Sequence, residues 1–191
     1  MMMFGEALFR KSELSDYLRQ QAASIEQHVG KNVREADLSE PDEMIVSKLL
    51  EQAVVSPLHV DFENPTKDAQ EHPLLVSDGF GGTVKINGVR ATRAFAFTGD
   101  KNLFELRPNR WGDYPRGELR RNLVVVGVEG RPDAELLKQE MDRQETALRE
   151  YVSNSTAEIN VHNEALAGKI LDAVKRRRAQ LSKIENLKDL L

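Results

Sequence analysis

Apolar positions in the last third of the chain fall on one helical stripe. From Pro132 to about Lys183 they recur at Leu137, Met141, Leu148, Val152, Ile159, Leu166, Ile170, Val174 and Leu181. These gaps are three, four or their sums, which places the residues on one face of a helix. Only Gly168 interrupts the helix formers after Pro132. Unbroken, such a helix would run roughly 75 Å at 1.5 Å per residue. It must fold back, lie along the rest of the protein or pair with another chain as a coiled coil. Ser153-Asn154-Ser155-Thr156 is its weakest point, because those side chains compete for backbone hydrogen bonds. A kink or turn is expected there, giving a helical pair.

The N-terminal pattern predicts two helices, over about 12–30 and 40–55. Leu14, Tyr17, Leu18, Ile25 and Val29 form the apolar face of the first, with Ser12 as cap and Gly30 as end. In the second, Ser39 caps, Pro41, Asp42 and Glu43 suit the first turn, and Met44, Ile45, Leu49, Leu50 and Val54 follow at helical spacing. Strand patterns occupy about 58–128. His59-Val60-Asp61-Phe62 alternates, residues 63–73 read as a polar surface loop, and Leu74–Val76 reads as a strand edge. Ser77 to Gly82 is a turn cluster. Val84-Lys85-Ile86 enters Asn87-Gly88, a hairpin signal, with the return strand over Val89–Phe97. Strands at Leu103–Leu106 and Leu119–Val128 follow, separated by a loop with Trp111 and Tyr114.

The predicted class is therefore α+β: an antiparallel sheet of four to five strands, two N-terminal helices and a long C-terminal helical pair. The expected division is a body over 1–131 and long helices over 132–191.

With 191 residues, 40% apolar and 30% charged, the chain can build a real core. No apolar run approaches the ~20 residues a membrane span needs. Cysteine is absent, which removes disulfides, thiol nucleophiles and Cys-ligated zinc and agrees with a reducing cytoplasm. The net charge of −4 is uneven. Residues 1–80 carry 7 Lys/Arg against 15 Asp/Glu, and 81–121 carry 9 against 4. An acidic start thus faces a basic middle, either as complementary surfaces of one chain or as a face for an anion.

Candidate chemistry is sparse. Gly79-Phe80-Gly81-Gly82-Thr83-Val84-Lys85 lacks the ending of a phosphate loop and enters a strand, so it reads as a turn. His59 and Asp61 share a strand face, but no second pair completes a metal site. Serine-hydrolase, zinc-protease and Asp…Glu-x-Lys nuclease patterns are missing, so no catalytic residue, metal or cofactor is assigned. Arg107, Arg110, Trp111 and Arg116, with Arg120 and Arg121 nearby, interleave arginine with aromatics as a nucleic-acid or anion site would. The alternative is that Trp111 and Tyr114 tuck under the sheet as an anchor. Lys175-Arg176-Arg177-Arg178 points four ways on a helix, with Arg177 nearest the apolar stripe.

Phe97-Thr98-Gly99-Asp100-Lys101-Asn102-Leu103-Phe104, Arg107-Pro108, Pro115-Arg116-Gly117, Val161 to Leu166 and Lys175 to Leu181 together resemble an uncharacterised N-terminal module of multidomain bacterial proteins. Some members of that group carry TIR or restriction-endonuclease-like effector domains in anti-phage settings. The resemblance spans about residues 95–191 and contains no catalytic motif. It implies a linker and an effector domain beyond Leu191, in line with the abrupt end of the leucine-bearing tail. The expected function is a non-enzymatic regulatory, sensing or oligomerisation module of a cytoplasmic protein. Its expected partner is a second copy or an adjoining effector domain, with no membrane. Self-association is expected through Leu148, Val152, Ile159, Leu166 and Ile170. The alternative is a nucleic-acid-binding module using the arginine–aromatic loop.

Overall fold

The computed structural model describes residues 1–77, 79 and 81–190. Asp78 and Phe80 of the turn cluster, Leu191 and the side chains of Asp189 and Leu190 lie outside the described residues. The elements in order are β1 (Met2–Met3), β2 (Glu6–Ala7), β3 (Ser12–Glu13), α1 (Leu14–Ala23), α2 (Ile25–Asn32), a 3-10 turn (Glu35–Ser39) and α3 (Asp42–Ala53). Then come β4 (His59–Val60), β5 (Thr66–Ser77), β6 (Thr83–Thr98), a 3-10 turn (Lys101–Glu105), β7 (Leu106–Arg107), β8 (Arg116–Arg120), β9 (Leu123–Gly130) and α4 (Ala134–Leu190). The class is α+β.

Two units divide the chain, and not at residue 131. The first holds Met1–Leu14 and Pro57–Thr156, the second Ser15–Ser56 and Ala157–Leu191. Helix α4 is one uninterrupted element of 57 residues, about 85 Å long, so the expected helical pair is replaced by a single helix that contributes to both. The expected kink at 153–156 is absent, and two of the four polar side chains bond away from the helix rather than to its own backbone. Asn154 donates to the Arg110 carbonyl at 3.2 Å and Thr156 to the Leu58 carbonyl at 3.4 Å. Ser155 is fully buried, with no hydroxyl partner among the described residues. Asp133 starts the helix by accepting from the backbone N–H groups of Glu135 and Leu136, both at 3.1 Å.

The first unit is a seven-stranded antiparallel sheet rather than one of four or five. Its main path runs β2-β8-β9-β6-β4, with β1 on β9 and β5 on β6. Strand β9, Leu-Val-Val-Val-Gly-Val, is buried along almost its whole length, as a central strand with both faces covered must be. On one face of β6, Arg93 meets the first half of α4. Phe95, Phe97, Leu103, Phe104, Val124, Val126, Val128, Leu148 and Tyr151 form the core. Phe9 is also fully buried, 5.5 Å from the Phe104 ring and 5.1 Å from Tyr151. Its φ of +56° costs about 1–2 kcal/mol for an L residue. Full burial of a phenylalanine side chain, worth about 1.5–3 kcal/mol, offsets that.

Four local expectations in this unit are overturned, the first being the strand over Leu103–Leu106, which is a 3-10 turn as far as Glu105. Residues 66–77 form strand β5, not a polar loop followed by a strand edge, and pair with β6 from Thr66↔Ala94 to Ser77↔Thr83. Asn87-Gly88 is no turn: it lies within β6 opposite Pro73 and His72. Gly88 is there for space, since a Cβ would sit 2.3 Å from Leu74 Cδ1 and 2.9 Å from the Gly130 carbonyl oxygen. The expected strand over 119–128 is a hairpin of β8 and β9, turned by Arg121 at φ +54° and Asn122.

Between sheet and helix lies an ionic cluster. The Arg93 side chain, 15% exposed, is 2.7 Å from both Asp142 and Glu145. Lys138 pairs with Asp142 at 2.9 Å, and Arg149 with Glu145 at 2.8 Å. Arg149 also lies over the Phe62 ring, 4.3 Å from its centroid. The Lys138 ammonium first, then the Arg93 guanidinium, hold the Asp142 carboxyl below the usual carboxylate range.

The second unit is helical. Its core joins Ile25, Val29 and Val33 to Ile45 and Leu49, and to Leu166, Ile170, Val174 and Leu181 of α4. The expected first helix is two, α1 and α2, broken at Ser24, whose hydroxyl donates to the Gln21 carbonyl. Helix α2 runs past Gly30 to Asn32. Ser12 lies in β3, which pairs in parallel with β7, and Ser39 closes a 3-10 turn. The position before α3 is Pro41. Asn163 accepts from the Val55 N–H at 3.1 Å and donates to the Val55 carbonyl at 2.9 Å, serving one residue as a strand would.

The basic run on α4 is used within this unit. Arg176 pairs with Glu26, and Arg177 donates to the Val33 carbonyl at 3.2 Å. Arg178 turns inward. It donates to the carbonyls of Leu38 (2.8 Å), Asp37 and Glu40, and its Nε lies 2.7 Å from Asp42 without an aligned hydrogen bond. Leu148, Val152, Ile159, Leu166 and Ile170 are all buried. The stripe is thus sheltered inside the chain and is not the exposed surface that self-association through these residues would need.

Two measurements check these assignments. Gly88→Ala should lower unfolding stability by about 1–3 kcal/mol in urea, as overpacking does. Because the folded-state pKa of Asp142 is lowered, its contribution is complete above the ordinary value of 3.8 and is lost as pH falls through the folded value. Asp142→Asn should therefore cost stability at neutral pH and flatten the acid limb of the stability–pH curve.

Candidate functional site

The segment from Arg107 to Arg116 is held by its backbone, leaving a few side chains outward. Tyr151 of α4 is 2% exposed and donates its hydroxyl to the Gly112 carbonyl at 3.0 Å. Burial, and then the neighbouring Tyr114, push the Tyr151 phenol up. Gln144 accepts from the Arg116 N–H at 3.0 Å, and Leu8 donates its N–H to the Pro115 carbonyl at 2.9 Å. Asn154 holds the Arg110 carbonyl, as above. Pro108 and Pro115 are buried at the two ends. The loop is therefore a fixed ledge on the first half of α4.

On it stand three aromatics in a row. Trp111 stacks on Tyr114 with centroids 6.2 Å apart and planes 16° from parallel. Tyr114 in turn lies 5.8 Å from Tyr151. The Arg107 guanidinium is 5.3 Å from the Trp111 ring centroid, donates to the Tyr114 hydroxyl at 3.4 Å and pairs with Glu13. The Tyr114 hydroxyl and then Glu13 raise the Arg107 pKa. Trp111 is 58% exposed. It does not tuck under the sheet: Tyr114 and Tyr151 take the anchoring role.

The six residues singled out from the sequence are not one basic face. Arg116 donates through Nε and a terminal nitrogen to the Gly5 carbonyl at 3.1 and 3.0 Å, pinning the N-terminal segment. Arg120 pairs with Glu118 at 2.8 Å and approaches the Phe4 ring. Arg121 is exposed at the β8–β9 turn, and Arg110 is exposed beside Trp111. Among the described residues, the guanidinium groups of Arg110 and Arg121 have no partner. Asp113 faces Arg143 at 3.4 Å, which adds a carboxylate to the ledge. The chemistry on offer is a flat aromatic surface with one free guanidinium at its side. It suits stacking on a planar ring or pressing on an apolar side chain. Sequence reasoning missed Tyr151 and Gln144 as supports, because a tyrosine or glutamine within a helical stripe carries no mark of its partner.

The other candidate pair is used locally. Asp61 accepts from the Asn64 amide at 3.0 and 3.2 Å and from the Glu63 N–H at 3.1 Å. The Asn64 hydrogen bond is the main cause of its lowered pKa. No group of three or more His, Asp or Glu side chains among the described residues could hold a metal ion. No helix among them is long and apolar enough to cross a membrane.

No protein-family model, curated protein or solved structure matches the chain.

Trp111 is the only tryptophan in the sequence, so its fluorescence reports the ledge directly. Emission should be red-shifted and open to quenching by iodide or acrylamide. A blue-shifted, unquenched signal would mean that the ring is buried.

Proposed function

We propose that the chain is a non-enzymatic regulatory, sensing or oligomerisation module that works through its surface. One observation carries this reading. Many of the polar side chains that chemistry could use, among them Arg93, Arg107, Arg116, Arg178 and Asp61, are tied to other groups of the chain. A sheet edge and exposed apolar groups are left facing outward. Strand β5 is an edge of 12 residues that, among the described residues, pairs only with β6. Leu75 (66%), Val84 and Trp111 are the exposed large side chains on or near such features. Unpaired strand edges and exposed aromatics are what protein partners bind.

The resemblance to modules that precede TIR or restriction-endonuclease-like domains supports placing it in a bacterial, cytoplasmic defence protein. There it would present an adjoining effector domain or bring copies of it together. Light scattering over a concentration series tests the oligomerisation part. A mass that rises above that of one chain supports it, and a strict monomer at the highest soluble concentration counts against it.

A second reading is favoured by one feature, the Trp111–Tyr114 stack with Arg107 across it and Arg110 beside it. It would serve as a stacking platform for single-stranded nucleic acid. Gel shifts with single- and double-stranded DNA and RNA at low and high salt decide it. Binding that is strongest at low salt and falls at least tenfold in Trp111→Ala supports the platform. Absence of binding at low salt, where phosphate contacts are strongest, eliminates it.

A further inference from the structure

We infer that the outer edge of β5 pairs antiparallel with the same edge of a second copy of this chain, about a two-fold axis at Ala69. This rests on the oligomerisation reading above and names its surface.

The edge is open. Thr66 to Glu71 are exposed, and β5 has no second ladder among the described residues. Its neighbour on one side only is β6. Pro65 and Pro73 bracket the segment. Each lacks an N–H, so a continuous new ladder is confined to the seven residues 66–72.

Few registers are possible within that window. On one edge of a strand, alternate residues present their N–H and C=O groups outward. Two copies of the same edge can therefore bond only when facing residues are both even-numbered or both odd-numbered. Three registers then use five or more residues. An axis at Asp68 sets Asp68 against Asp68, a like-charge pair. An axis at Gln70 uses five residues and sets Lys67 against Pro73, outside the window. An axis at Ala69 uses all seven. It sets Lys67 against Glu71 twice, Asp68 against Gln70 twice, Thr66 against His72 twice, and each Pro65 against the partner's Pro73.

Lys67 and Glu71 point to the same face of β5, since both are odd-numbered. Neither is in an ion pair with a described residue. Directly opposed residues in such a ladder have Cβ atoms about 4.5–5.5 Å apart, within reach of a lysine–glutamate pair. The charges that keep this edge from pairing at random thus leave one self-complementary solution. Since the facing side chains are polar, the contact is weak and reversible, and raising salt should loosen it.

The test uses two single variants of the full chain, Lys67→Glu and Glu71→Lys. In each, the two-fold pairing sets like charges opposite one another at both ends. Sedimentation equilibrium should show the wild-type protein dimerising and each variant shifted at least tenfold toward monomer. Mixed in equal amounts, the two variants should associate again. At both ends of the mixed ladder a glutamate of the first variant then faces a lysine of the second. Circular dichroism of each variant should match the wild type, since both sites are solvent-exposed.

If both variants dimerise as well as the wild type, or their mixture fails to associate, the edge is not the contact. The broader oligomerisation reading then stands on another surface. If the wild-type chain stays monomeric at the highest soluble concentration, both fall together.

Discussion

An amphipathic helix of this length cannot keep its apolar stripe dry alone, and the rest of the chain is arranged to cover it. The first half of α4 lies on the β6–β9 face, where Leu148, Tyr151 and Val152 are buried with Phe9, Phe95 and Phe104. The second half is covered by α2 and α3 through Leu166, Ile170 and Val174. Both covers are made by segments distant in sequence. The long strands β5, β6 and β9 precede α4, and the helical cover precedes those strands. Hydrophobic burial supplies the drive, since each fully covered leucine or isoleucine contributes about 1.5–3 kcal/mol.

Charge does a different job in this molecule from the one its distribution first suggests. The basic middle and the arginine run on α4 look like surface for an anion. Most of their guanidinium groups are committed internally. Arg93 sits between Asp142 and Glu145, Arg116 holds the Gly5 carbonyl, and Arg178 gathers three carbonyls at the end of a 3-10 turn. Arginine suits this because its planar fork can satisfy several acceptors at once without losing charge. Among the features left outward are an aromatic ledge, a polar strand edge and scattered apolar side chains.

How much of this is legible beforehand depends on the range of the signal. The α4 stripe is visible because its repeat is local, and every residue chosen for packing is buried. The antiparallel sheet is visible in outline through β6 and β9. The failures come where a local signal has a non-local cause. Gly88 looks like a turn glycine but makes room for Leu74 on the neighbouring strand. Residues 66–73 look like a loop because an edge strand can be polar throughout, its hydrogen bonds to β6 doing what apolar alternation does elsewhere. At the candidate site, the residue types at Arg107, Arg110 and Trp111 are readable. The groups that hold this loop, Glu13 on Arg107, Tyr151 on the Gly112 carbonyl and Gln144 on the Arg116 N–H, are not, as no spacing rule links a loop to elements so far from it along the chain.

The continuity of α4 across Thr156 and Ala157 carries a thermodynamic consequence. Starting a helix is the costly step, with a nucleation constant near ~10⁻³, while each further residue follows at little cost. A helix shared by two cores needs nucleating only once, so order in either half seeds the other. Separating the halves by a flexible insertion would impose that penalty a second time, and cooperativity in the melt would split into two transitions.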